Sequence, residues 1–125
     1  MARILVIDDD VEICTLTKRF LLLDGHEVDT AEDGAVGLKL TGRNQYDLVI
    51  TDVVMPEQDG IGVVAELKRL QPHIRIIVMT GGGAKFSISE LLNITKFMKA
   101  DRGLAKPLDF ENLQVVVREV LDMKP

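Results

Sequence analysis

The chain has no tryptophan, one tyrosine and one cysteine, and aromatic residues occupy only 4% of its 125 positions. A lone cysteine, Cys14, excludes an internal disulfide, and its place in an amphipathic stretch marks it as a small buried apolar side chain. Basic charge is also scarce: 15 Lys and Arg stand against 20 Asp and Glu, giving a formal net charge of −5. No Lys/Arg stripe exists to displace counterions from nucleic acid or an anionic membrane, so neither is expected as a direct partner. No apolar run approaches the roughly 20 residues of a membrane span. Met-Ala-Arg, four apolar residues and three acids make no secretory signal, and a cytoplasmic protein is expected.

Aliphatic residues are what the chain has in abundance. Hydrophobic content of 46% with few rings suits a Val/Ile/Leu core in which helices cover both faces of a parallel sheet. The length fits one domain, 1–125, that buries about two-thirds of its unfolded surface, with no output domain expected. Strand-length apolar blocks recur at 4–7, 27–30, 48–51, 74–80 and 103–105. Helical spacing fills the intervals at about 11–23, 33–41, 61–70 and 87–99, and a fifth helix beginning near Asp109 ends the chain. Asp10 is a candidate N-cap for the first helix, Asp109 or Asn112 for the fifth, and Asp24-Gly25 is a candidate C-cap. Strand and helix alternating five times predict a doubly wound α/β domain with a five-stranded parallel sheet.

Acids and a lysine stand at the predicted strand ends. Asp8-Asp9-Asp10 follows the first block, Asp52 the third, Thr80 closes the fourth and Lys106-Pro107 follows the fifth. In an open parallel sheet these ends share the edge where ligands bind. Carboxylates ~4 Å apart repel by about 4 kcal/mol at the effective dielectric of a partly buried site, and a hard divalent cation relieves that. Few protein oxygens with room for water favour Mg²⁺, which keeps waters and prefers sites completed by phosphate. Lys106 and Thr80 supply an ammonium and a hydroxyl for phosphoryl oxygens, and Asp52, alone at the middle strand's end, is the candidate nucleophile.

Four segments carry a family resemblance: Ile4-Leu-Val-Ile-Asp-Asp-Asp10, Asp47-Leu-Val-Ile-Thr-Asp-Val-Val-Met-Pro-Glu-Gln-Asp-Gly60, Val78-Met-Thr-Gly81 and Leu104-Ala-Lys-Pro107. In this order and spacing the chain resembles the response-regulator receiver domain of two-component signalling. The resemblance implies a flavodoxin-like (βα)5 fold with strand order 2-1-3-4-5. It makes Asp52 the acceptor of a phosphoryl group from a sensor histidine kinase or histidine phosphotransfer protein. Asp9, Asp52 and the backbone carbonyl of Val54 would ligate Mg²⁺, Asp8 would act through an intervening water, and Thr80 and Lys106 would hold the phosphoryl group. Catalysis would be limited to self-phosphorylation and self-dephosphorylation. An unknown downstream protein would read the phosphorylation state, and a dimer through the fourth and fifth helices is a further expectation.

Two positions depart from the family pattern. An aromatic residue usually stands three positions before the lysine, and here it is Gly103, so the signal is expected to leave through Gly81-Gly82-Gly83 and the fourth helix. Val54 and Gly82 stand where the family often places groups that orient water, and neither side chain can do so, which predicts slow self-dephosphorylation. Two other functions fit parts of the pattern. Asp8-Asp9-Asp10 contains an Asp-x-Asp resembling haloacid-dehalogenase-type phosphatases with Asp8 as nucleophile, although the later acidic motif and cap insertion are missing. A receiver fold acting as a phosphorylation-independent binding module is the other. Met55-Pro56 and Asp59-Gly60 read as turn chemistry, and His26 and His73 as surface or loop residues.

Overall fold

Five aliphatic runs pair into one parallel sheet in the computed structural model, which describes residues 1–55, 58–81 and 88–123. The strands are β1 (Arg3–Ile7), β2 (Glu27–Ala31), β3 (Leu48–Asp52), β4 (Arg75–Thr80) and β5 (Arg102–Ala105), in the order β2-β1-β3-β4-β5. The helices between them are α1 (Val11–Leu23), α2 (Gly34–Thr41), α3 (Gly60–Leu70) and α4 (Ile88–Phe97), and α5 (Phe110–Asp122) follows β5. The expected doubly wound order is the observed one.

Each central strand is apolar on both sides because each meets helices on both faces. Ile4, Val6, Ile50, Ile77 and Met79 pack with Cys14 and Leu21 of α1 and with Leu113, Val116, Val117 and Val120 of α5. Leu5, Ile7, Val49, Ile76 and Val78 pack on the opposite face with Val63, Val64 and Leu67 of α3 and with Met98 beyond α4. Truncating one such fully buried side chain, Ile50 for example, to alanine costs about 2–5 kcal/mol. Rings add little, but Phe20 of α1 stacks on Phe110 of α5 with centroids 5.0 Å apart.

One local reading needs correction. Met55-Pro56 and Asp59-Gly60 read as turn chemistry, yet Met55 and Asp59 lie in strands, since Val54–Met55 and Gln58–Asp59 pair as a short antiparallel ribbon ahead of α3. His26 lies in the loop between α1 and β2, as expected, and is half-buried there, its Nδ1 accepting a hydrogen bond from the Ala2 amide at 3.1 Å. Burial drives its pKa below the ordinary histidine value, against the opposing pull of Asp24. Pro56, Glu57, Gly82, Gly83 and Ser87 lie outside the described residues.

Parallel register sets the working edge. Ile7 pairs with Thr51, so Asp8 and Asp52 leave neighbouring strands side by side. Thr80 pairs with Ala105, so Lys106 leaves the sheet beside the end of β4.

Candidate functional site

Asp8 and Asp52 are almost completely buried, while Asp9 is exposed. One carboxylate oxygen from each of the three lies within 4.8 Å of the others. The turn into α1 fixes Asp8: its Oδ1 accepts from the Asp10 amide at 2.9 Å, while Asp10 caps the helix by accepting from Glu12 N at 2.9 Å and Ile13 N at 3.3 Å. The backbone of Asp8 is tied as well. Its amide donates to the Ala31 carbonyl at 3.1 Å, and its own carbonyl accepts from the Cys14 thiol at 3.4 Å. Burial, with the charge of Asp8 second, pushes that thiol up to about 11.

Lys106 bridges the two buried carboxylates. Its Nζ donates to Asp52 Oδ2 at 2.9 Å and lies 2.7 Å from Asp8 Oδ2, a charge contact that lacks hydrogen-bond alignment. Burial alone would favour a neutral amine, but Asp8 and Asp52 outweigh it and hold Lys106 above the ordinary lysine value. At Asp8 the balance runs the other way. Burial raises its pKa more than Lys106 and the Asp10 amide lower it.

Thr80 completes the edge from β4. Its hydroxyl is fully buried and, among the described residues, has no hydrogen-bond partner. Leaving such a group unsatisfied costs about 1–3 kcal/mol, so a hydroxyl at a ligand edge in this condition is a donor waiting for an oxygen. Fold and register therefore bring Asp8, Asp9, Asp52, Thr80 and Lys106 to one end of the sheet. Val54 opens the ribbon two residues beyond Asp52.

The donor set suits a hard divalent cation. Among the described residues it offers carboxylate oxygens, without the imidazole or thiolate that a softer metal would select, and the Lys106 ammonium stands against two of the three. The Cys14 thiol donates to the backbone rather than toward the carboxylates.

A model of the response regulator receiver domain matches residues 4–118. The chain belongs to that family. Receiver domains work in two-component systems, bind Mg²⁺ at this acidic cluster and are phosphorylated by histidine kinases. The transcriptional regulatory protein ZraR of Escherichia coli (strain K12) is 38% identical over 118 residues, which cover 94% of this chain and 26% of that protein. The chain thus spans about a quarter of the length of the curated relatives it matches. A receiver domain protein from Clostridium thermocellum superposes with a TM-score of 0.83 at 33% identity, covering 98% of this chain and 95% of the other. TrrA from Thermotoga maritima, solved in complex with Mg(2+)-BeF, has a TM-score of 0.80 at 33% identity, with 96% and 99% covered.

Two contributors to this receiver edge have no strong sequence signal. Cys14 touches the Asp8 backbone only because α1 packs back over the end of β1. Gly81 is drawn against Lys106 by tertiary contact, and a run of three glycines does not say which of them is pressed on a neighbour.

Proposed function

We propose that this chain is a phosphoryl-accepting switch in a two-component phosphorelay, with Asp52 as the acceptor. A carboxylate oxygen of Asp52 attacks the phosphorus of a phosphohistidine on a sensor kinase or phosphotransfer protein. The P–N bond breaks and the imidazole leaves with its electron pair, giving an acyl phosphate on Asp52. Lys106 transfers its ammonium from the Asp52 carboxylate to a phosphoryl oxygen, and the Thr80 hydroxyl donates to another. Asp8, Asp9, Asp52 and the Val54 carbonyl are the residues that would hold Mg²⁺. When bound, the cation neutralises charge on the transferring group. Catalysis ends with the chain's own phosphorylation and hydrolysis.

The observation that carries this reading is Lys106 Nζ lodged between two buried carboxylates, 2.9 Å from Asp52 and 2.7 Å from Asp8, while the buried Thr80 hydroxyl has no hydrogen-bond partner among the described residues. Acceptor, counter-charge and donor stand together at one end of the sheet. A downstream protein that binds one phosphorylation state better would read the switch. Leu92 and Phe97, 59% and 72% exposed on α4, and Val115, 46% exposed on α5, support a docking or dimer face there.

Intact mass tests the reading after incubation with Mg²⁺ and acetyl phosphate or phosphoramidate. One labile phosphoryl adduct on the native chain and none on Asp52→Asn is the expected result. An adduct that survives Asp52→Asn but not Asp8→Asn would support a phosphatase-like nucleophile at Asp8, and no adduct with either donor would support a phosphorylation-independent binding module.

A further inference from the structure

Gly81 follows Thr80 at the end of β4 and holds φ at +126°, a conformation that L side chains rarely adopt. It faces the backbone of Lys106. A Cβ at position 81 would stand 3.1 Å from the Lys106 carbonyl oxygen, 3.2 Å from its nitrogen and 3.3 Å from its Cβ. Two of these three are main-chain atoms, which cannot swing aside as the tip of a long side chain can. The Lys106 amide is itself anchored, donating to the Thr80 carbonyl at 2.7 Å. A side chain at 81 must therefore strain its own backbone or push the Lys106 main chain away from β4. Lys106 reaches its carboxylates from that backbone, with Nζ 2.7 Å from Asp8 and 2.9 Å from Asp52. Displacing its root displaces its head.

We propose that Gly81 is a positioning residue for phosphoryl transfer: by admitting the Lys106 backbone to the end of β4, it sets the reach of the lysine ammonium onto Asp52. The inference rests on Asp52 as phosphoryl acceptor. The three atoms nearest an added Cβ all belong to Lys106, so a side chain at 81 acts first on Lys106. Misplacing a charged group that must meet the transferring phosphoryl slows the reaction by about ten- to a hundredfold. Cation binding by Asp8, Asp9 and Asp52 is spared, because none of the three is among the nearest neighbours of the added Cβ.

Phosphoryl uptake from phosphoramidate with Mg²⁺, followed by intact mass, tests this on the full chain, Gly81→Ala, Lys106→Ala and the double variant. The Asp52 oxygen bonds to phosphorus, the P–N bond breaks and ammonia departs with the bonding pair. Gly81→Ala should be slower by about ten- to a hundredfold. Its Mg²⁺ affinity, by calorimetry, should be unchanged or tighter. Added to Lys106→Ala, it should change the rate by less than about twofold, since the group it positions is gone. A wild-type rate for Gly81→Ala, an equal fractional loss in both backgrounds, or a parallel loss of Mg²⁺ affinity would each overturn the inference. An unreactive wild-type chain would instead overturn the acceptor reading, and this inference with it. Should Gly81→Ala lack a cooperative melt, Gly81→D-Ala, installed by ligation, takes positive φ freely and directs its methyl away from Lys106. That chain should react at the wild-type rate, and a slow one would overturn the proposal.

Discussion

A methyl group on Gly103 would come within 2.2 Å of the Thr95 hydroxyl oxygen. Helix α4 therefore sits directly on β5, with Thr95 Oγ1 held by the Leu91 carbonyl at 2.7 Å and Leu91 Cδ1 only 3.0 Å from the same point. Where relatives place an aromatic ring, this chain leaves no room beside the helix.

Gly103→Ala should accordingly destabilise the fold by about 1–3 kcal/mol through overpacking. Thr95→Ala removes the oxygen in the way and should recover part of that loss in the double variant. Urea midpoints of the four chains read both effects. Strictly additive losses would mean that the two residues do not press on each other.

With no ring to swing at position 103, α4 and the segment before it are expected to carry the change of state. Amide exchange across residues 81–100 should therefore shift when a phosphoryl mimic binds with Mg²⁺. Identical exchange with and without the mimic would send the search for the output surface elsewhere.

His26 gives stability a pH dependence remote from the acidic edge. Burial lowers its folded-state pKa, and its Nδ1 accepts from Ala2 N, which requires an unprotonated nitrogen. Above its ordinary value near 6.5 both folded and unfolded chains are neutral there and the group has no effect. As pH falls below that value the unfolded chain takes up the proton first, so stability declines until the folded pKa is reached. Unfolding midpoints at about pH 7.5 and about pH 5.5 should differ more for the wild type than for His26→Asn, whose amide oxygen can accept the same bond. Equal differences would refute the role of His26.

The acyl phosphate should be long-lived. Val54 and Gly82 offer no side-chain group to orient an attacking water, help that is worth about a hundredfold or more where it is present. Decay of the adduct with Mg²⁺ present measures it directly. Val54→Asn should shorten the lifetime, and a native lifetime of seconds would contradict the expectation.

Much of this architecture was legible because the sequence is locally consistent. The strand blocks match the observed strands to within a residue at each end, and for β1, β3 and β4 the reason is a β-branched run closed by Asp, Thr or Gly. Asp10 and Asp109 cap α1 and α5 as their chemistry suggests. The receiver edge could be read because parallel strands bring their C-terminal ends together, which turns residues far apart in sequence into one site. What escaped depends on distance between elements. The 54–59 ribbon is too short to carry a period, and the His26 bond needs the chain start folded back against it. The fits of Gly81 to Lys106 and Gly103 to Thr95 are missing side chains whose meaning lies in the neighbour. α4 ends at Phe97, short of the predicted 99, and Lys99 adopts a positive φ of 56° as the chain leaves the helix.

The burial of Cys14 also has a practical side. Its Sγ is occupied by the Asp8 carbonyl and its thiol is pushed up to about 11, so hardly any thiolate exists at neutral pH and little of the side chain can be reached. The native chain is thus its own blank for maleimide chemistry. A cysteine introduced at an open position such as Phe97, 72% exposed, would be the single fast-reacting thiol, and a dye or spin label there would report on α4 while Cys14 stays in place beside Asp8.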